Sequence, residues 1–256
     1  STDDKLYLQS GEFSGTMKTS LSVGAVDTFP SGISWNGTNT PWSGGTDLKL
    51  YLQSGQFSGT IKTSLSVGGV ASSTQDIAWT GTNTAWVQSD LQKLYLQSGQ
   101  FSATIKTSLA VGTIDTLPNG ISWDQTNTPW CGDTDDKLYL QSGQFSATIK
   151  TSQSITGIDT GPRGVSWDQT NTPWSGSQSD KLYLQSGQFS GTLKTSLSVT
   201  AIEVSPSGIE NTNRLAAAGN RRIVGDMECR SKPLLRFIER HGLCHKKRDA
   251  VLSCTA

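Results

Sequence analysis

The chain has 256 residues, of which 34% are hydrophobic and 16% charged, enough for one large all-β domain or one to two ordinary domains. Its 27 glycines and low charge exclude a charge-rich disordered segment and suit short strands joined by many turns. The formal net charge is zero, but residues 1–210 hold 11 Lys and Arg against 17 Asp and Glu, whereas residues 211–256 hold 10 against 4. The acidic body disfavours nucleic-acid binding, and no segment approaches the roughly 18 apolar residues of a membrane span.

An internal repeat dominates the first 209 residues. The segment Lys-Leu-Tyr-Leu-Gln-Ser-Gly occurs five times at intervals of 44 residues, without insertion or deletion, and contains all five tyrosines: Tyr7, Tyr51, Tyr95, Tyr139 and Tyr183. The eight tryptophans fall into two further columns with the same spacing. We call them the Trp35 column (Trp35, Trp79, Trp123, Trp167) and the Trp42 column (Trp42, Trp86, Trp130, Trp174). A fixed period of this length is typical of repeat architectures.

The chain begins with two predicted strands, 5–9 and 16–23, and the complete unit that follows contains four. Residues 33–35 alternate apolar and polar side chains, as expected of a short strand, and Asn36-Gly37 favours a tight hairpin turn. Three more strands are predicted at 40–43, 49–53 and 60–67, separated by glycine-containing turns.

Four antiparallel strands in 44 residues are what one blade of a β-propeller requires. The run Gly-Ile-Ser-Trp-Asp-x-Thr-Asn-Thr-x-Trp at 120–130, followed by Asp-Lys-Leu-Tyr at 136–139, resembles the blade repeat of NHL- or YncE-like bacterial and extracellular propellers. The predicted fold class is therefore all-β, a β-propeller with an N-terminal half-blade and four complete blades at 1–209. Residues 210–256 form a basic, non-repeat tail that contains Cys and His.

The repeat stops where the closing strands of a fifth blade are expected. Pro206, Gly208 and Ile209 keep the register, but Asn211 stands where the other copies have Trp. Three interpretations of the tail remain open: a degenerate closing strand pair, a separate element with a short helix at 233–240, or out-of-frame sequence. An open ring would leave exposed sheet edges and predicts self-association.

The sequence offers little for catalysis. Both histidines, His241 and His245, lie in the tail, so no nucleophile in the repeats has a nearby His. The tail cysteines lack the close pair that begins most zinc modules. Converging catalytic groups must also differ, whereas nearly identical blades offer equal sites. We therefore expect that the protein is not an enzyme and that it holds no metal or cofactor.

The tryptophans are the best candidates for ligand contacts, because Trp offers a flat amphipathic surface. The Trp35 column alternates in phase with Ile33 and is predicted to be core. The Trp42 column follows Pro or Ala beside a polar turn, and both a core and a ligand-facing role are open. The predicted ligand-binding residues are the Trp42 column together with Asn39, Asn83, Asn127 and Asn171.

These features favour a binding module, lectin-like, with one weak site per blade for glycans or another repetitive surface. The first alternative is a structural or assembly protein of a virion, fibre or cell surface. The second is a propeller-type hydrolase. A composition rich in Gly, Ser and Thr suits an extracellular or surface-associated location.

Overall fold

The computed structural model describes residues 4–10, 13, 16–202 and 205–210, together with two short strands near the C-terminus. By its contacts the chain divides into two units, Ser1–Thr212 and Asn213–Ala256. In the second unit the described part is one antiparallel pair, β19 (Cys244–Lys246) and β20 (Leu252–Cys254). No helix with the length and hydropathy to cross a membrane occurs among the described residues.

The first unit contains a two-stranded sheet and four four-stranded sheets, all antiparallel. The two-stranded half-blade consists of β1 (Lys5–Gln9) and β2 (Met17–Ser22). Blade 1 consists of β3 (Pro30–Ile33), β4 (Thr40–Gly44), β5 (Lys49–Gln53) and β6 (Ile61–Ser66). Blade 2 consists of β7 (Asp76–Trp79), β8 (Thr84–Gln88), β9 (Lys93–Gln97) and β10 (Ile105–Ala110).

The remaining blades repeat this order. Blade 3 consists of β11 (Pro118–Ile121), β12 (Thr128–Gly132), β13 (Lys137–Gln141) and β14 (Ile149–Ser154). Blade 4 consists of β15 (Pro162–Val165), β16 (Asn171–Gly176), β17 (Lys181–Ser186) and β18 (Leu193–Ser198). In each blade the strands pair in sequence order, so the first strand is innermost and the fourth is outermost. The predicted all-β propeller with four complete blades is confirmed.

Most predicted strands lie where expected, but the first strand of the unit is displaced from its predicted position at 33–35. In blades 1, 3 and 4 it begins at the proline and ends at Ile33, Ile121 or Val165, so the following Trp lies outside the strand. In blade 2 the strand continues to Trp79. The end of the strand does not decide the burial of this column, because Trp35 outside the strand and Trp79 inside it are both half-buried.

The ring closes through a column of small residues on its axis, at positions 32, 76, 120, 164 and 208. A Cβ atom added to Gly164 would lie 3.0 Å from Gly208 Cα, and one added to Gly208 would lie 2.9 Å from Gly32 Cα. Residues 205–210 therefore occupy the inner position of a fifth blade, between blades 4 and 1. Tyr7 of the half-blade also donates a hydrogen bond to the Ile202 carbonyl oxygen at 3.4 Å. Such closure removes exposed inner edges.

The core lies between adjacent blades. A typical cluster combines Leu50 and Leu52 of blade 1 with Ile77, Trp86 and Tyr95 of blade 2, all buried. Within each complete blade the Trp42-column indole stacks on the Tyr of the next strand, with ring centroids 4.2 Å apart and planes 9–18° from parallel. One blade cannot cover both of its faces, so neighbouring blades bury these rings.

Candidate functional site

The four indoles of the Trp42 column have no exposed surface. In this conformation they offer nothing to a ligand, and they pack the core between blades instead. The cause is the cross-strand pairing of Trp42 with Tyr51, which stacks the two rings on the face that the neighbouring blade covers. The proposed ligand-facing role of this column therefore gains no support from where the side chains lie.

The four asparagines predicted to bind ligand are also largely buried, with 5–6% of their surface exposed. Three of them join two loops of their own blade, because their side-chain oxygens accept hydrogen bonds from Gly55 N, Gly99 N and Gly143 N at 3.2–3.4 Å. Asn171 Oδ1 accepts from Lys194 Nζ at 3.1 Å instead. These contacts hold the loops that follow the first and third strands together at one end of the propeller, which we call the loop end.

The Trp35 column lies at this loop end and is half-buried in all four blades. The next residue closes a turn in each case. Asp124 Oδ1 accepts hydrogen bonds from Thr126 N at 2.8 Å and Asn127 N at 2.5 Å, and Asp168 repeats this geometry in blade 4. In blades 1 and 2 Asn36 and Thr80 take the same position. Each blade therefore presents a partly exposed indole beside a fixed polar turn.

Neighbouring blades are connected at the loop end. Ser34 Oγ of blade 1 accepts a hydrogen bond from Trp79 N of blade 2 at 3.0 Å. Gln188 of blade 4 donates a side-chain hydrogen bond to Asp124 of blade 3. These contacts join the loop ends of blades 1 and 2 and those of blades 3 and 4.

One pocket opens where the half-blade meets blade 1. We call it the junction pocket, and its lining includes Trp35, Gln56, Phe57, Tyr7 and Glu210. The strand β1 is less buried than its equivalents: in β5, β9 and β13 the last four residues are all buried, whereas in β1 only Leu6 is. The pocket combines aromatic rings with an amide and a carboxylate.

The opposite end of the propeller carries a column of buried aspartates that the sequence reasoning did not single out: Asp27, Asp115 and Asp159. Asp115 Oδ1 accepts from Leu117 N at 2.8 Å and its Oδ2 accepts from Asp135 N at 3.0 Å. Asp27 makes the matching contacts with Phe29 N and Asp47 N, and burial raises its pKa. In blades 1, 3 and 4 these carboxylates join the loop before the blade to the turn between its second and third strands, which is a structural role.

Asp76 is a second residue that the sequence reasoning missed. It lies on the ring axis, is 1% exposed, and stands in a column that is otherwise glycine. Burial raises the pKa of its carboxyl well above the usual range, although backbone hydrogen bonds oppose the shift. Its departure from the glycine column is visible when the five copies are aligned, but the ring is needed to see what the column surrounds.

No group of His, Cys, Asp and Glu suited to hold a metal ion occurs among the residues that the structure describes. The thiol of Cys131 is fully buried and accepts a hydrogen bond from Gly120 N at 3.1 Å. The tail residues Cys229 and His241 lie outside the described residues, and of Cys244, His245 and Cys254 only the backbone pairing is described.

No family model and no curated protein matches this chain. Several solved structures share its fold. Glutaminyl cyclase from Myxococcus xanthus has a TM-score of 0.55 at 12% identity, covering 71% of this chain and 80% of that chain. A chain of the nidogen/laminin complex has a TM-score of 0.55 at 11% identity, covering 80% and 97%. Virginiamycin B lyase from Staphylococcus aureus has a TM-score of 0.50 at 12% identity, covering 82% and 68%.

Together with the blade geometry, these likenesses define the chain as a β-propeller and confirm the resemblance of its repeats to propeller blades. They also correct one expectation. The prediction that the protein is not an enzyme is wrong as an inference from equal blades, because enzymes are among the proteins that share the fold. At 11–12% identity the likeness shows the fold alone, since one fold hosts many activities.

Proposed function

We propose that the protein is a binding propeller that contacts its ligand at the loop end, through the half-buried indoles of the Trp35 column. The observation that carries the proposal is the difference between the two Trp columns. One is fully buried in every blade, whereas the other keeps part of each indole exposed beside an ordered polar turn. A core role accounts for the first column but leaves the exposed surface of the second unexplained.

The chemistry of this surface suits a ligand with both flat apolar faces and many hydroxyl groups, such as a glycan. Indole rings stack on the flat faces, and the turn oxygens of Asp124 and Asp168 are fixed nearby. Similar sites repeated from blade to blade gain avidity against a repetitive target even when each is weak. The proposed role is therefore lectin-like, and an extracellular or cell-surface location suits such a target.

A glycan array, followed by titration of the best ligand with fluorescence detection, tests the proposal. Replacing Trp123 by Ala should weaken binding by about tenfold or more if the sites act together. Leu117→Ala is the matched control, because Leu117 directly precedes the same blade but is 45% exposed at the opposite end. Binding to none of the glycans, or an equal loss of affinity in the two variants, would contradict the proposal.

Assembly through the opposite end is a second candidate function. The loops there carry exposed apolar side chains, which are Val26, Phe29, Val70, Leu91 and Leu117. Apolar side chains that several blades expose at the same end are candidates for an interaction surface. Analytical ultracentrifugation should then show an oligomer that Phe29→Ser dissociates, with Trp123→Ala as the control that leaves it intact. A monomer at all concentrations would remove this candidate.

A further inference from the structure

The axis of the ring is enclosed by backbone rather than by side chains. At four of its five positions the residue is glycine, and the inner strands approach so closely that a Cβ atom has no room. A Cβ on Gly32 would lie 2.8 Å from Ile77 N, and one on Gly120 would lie 2.8 Å from Gly164 Cα. At the one remaining position the residue is Asp76, and its carboxylate is completely enclosed.

Backbone amides from three blades converge on this carboxylate. Ile77 N donates to Oδ1 at 2.9 Å, and Ile121 N donates to Oδ2 at 2.9 Å. The amide of Ile33 also hydrogen-bonds to Asp76. Because the three donors belong to blades 2, 3 and 1, the carboxylate connects three of the five inner strands through the centre of the ring.

In the other inner strands, too, the backbone amide of the residue that follows the axial position lies close to the axial column. Val165 N would lie 2.9 Å from a Cβ on Gly120, and Ile209 N would lie 2.8 Å from a Cβ on Gly164. Inward-pointing amides in a buried concavity attract anions, as backbone nests do. No Lys or Arg pairs with Asp76 among the ion pairs of the described residues. The backbone amides are therefore the hydrogen-bond donors that oppose the desolvation of the carboxylate, although burial outweighs them.

We propose that the ring axis is a binding site for one small carboxylate, which Asp76 occupies from within the chain. The amides of residues 33, 77 and 121 form the site, and the glycine column gives it its size. The side chain of Asp76 beyond Cα is the CH2COO⁻ group, so acetate is the free anion that matches it. The site does not depend on ligand binding at the loop end.

Complementation of Asp76→Gly by acetate tests the proposal. The variant restores the residue that the other blades carry and leaves the three amides without their acceptor. At pH 7 its melting temperature should rise saturably with acetate, by about 3–6 °C at 100 mM if half-saturation lies near 10 mM. Wild-type protein should show no such rise, because its site is filled. Pivalate serves as the control anion, since it has the same charge but is too bulky for the axis.

Asp90→Gly is the control variant, because Asp90 belongs to the same blade but is exposed. Equal effects of acetate and pivalate on Asp76→Gly, equal effects of acetate on the two variants, or no effect would each overturn the proposal. If Asp76→Gly does not fold in chloride buffer, it is refolded from urea in each anion and followed by near-ultraviolet circular dichroism. Folding in acetate alone supports the proposal, and failure in both anions, or recovery in both, overturns it.

Discussion

Closure of the ring through residues 205–210 predicts that Gly164 does not tolerate a side chain. A Cβ atom at Gly164 would lie 2.5 Å from Ser207 O and 2.8 Å from Ile209 N. Both atoms belong to backbone, so the strand itself has to move. Overpacking of this kind costs about 1–3 kcal/mol, and at about 2–4 °C per kcal/mol Gly164→Ala should lower the melting temperature by about 2–12 °C.

Gly157→Ala is the matched control, because Gly157 belongs to the loop before the same blade and a Cβ added to it would meet no atom within 4 Å. There the substitution restricts only the unfolded chain and should stabilise the protein by about 0.4–1 kcal/mol. Thermal and urea denaturation of the two variants measure the difference. If Gly164→Ala is as stable as Gly157→Ala, residues 205–210 do not pack against blade 4 and the ring is open there.

Three further predictions concern buried groups. Trp86→Ala should lower the free energy of unfolding by about 3–5 kcal/mol because Trp86 is fully buried, whereas Trp79→Ala should lower it clearly less. Urea denaturation of both variants measures the difference, and equal losses would contradict the burial assigned to the two Trp columns. Asp115→Ala should lower the free energy of unfolding by about 1–3 kcal/mol in the same assay, because it leaves the Leu117 and Asp135 amides without their acceptor. An unchanged free energy of unfolding would contradict the structural role of this aspartate column. Burial raises the pKa of Asp76 in the folded state, so the folded protein binds the carboxyl proton more tightly than the unfolded chain does. The wild type should therefore lose stability relative to Asp76→Asn as the pH rises from about 4 through the raised pKa. Urea midpoints that run parallel across that range would show that the pKa of Asp76 is unshifted.

The strand pattern of the repeat can be predicted because it depends on local chemistry. The third strand is predicted at its observed bounds, 49–53, since turn residues flank a short apolar run. The burial of the tryptophans cannot be predicted in the same way. Alternation shows that two side chains share a face, but it does not show how far the neighbouring blade covers that face. Trp35 is for this reason predicted to be core but is half-buried in the structure, whereas Trp42 is fully buried.

The sequence by itself determined the 44-residue period, the order of strands within a blade and the need for neighbouring blades, because each depends on spacing along the chain. Only the tertiary structure decided that Gly208 closes the ring against Gly32, and that Asp76 lies at the centre of it. Residues 176 positions apart meet there, and three amides from separate blades converge on one carboxylate. No local pattern encodes such a convergence, because it arises only when the blades are arranged around a common axis.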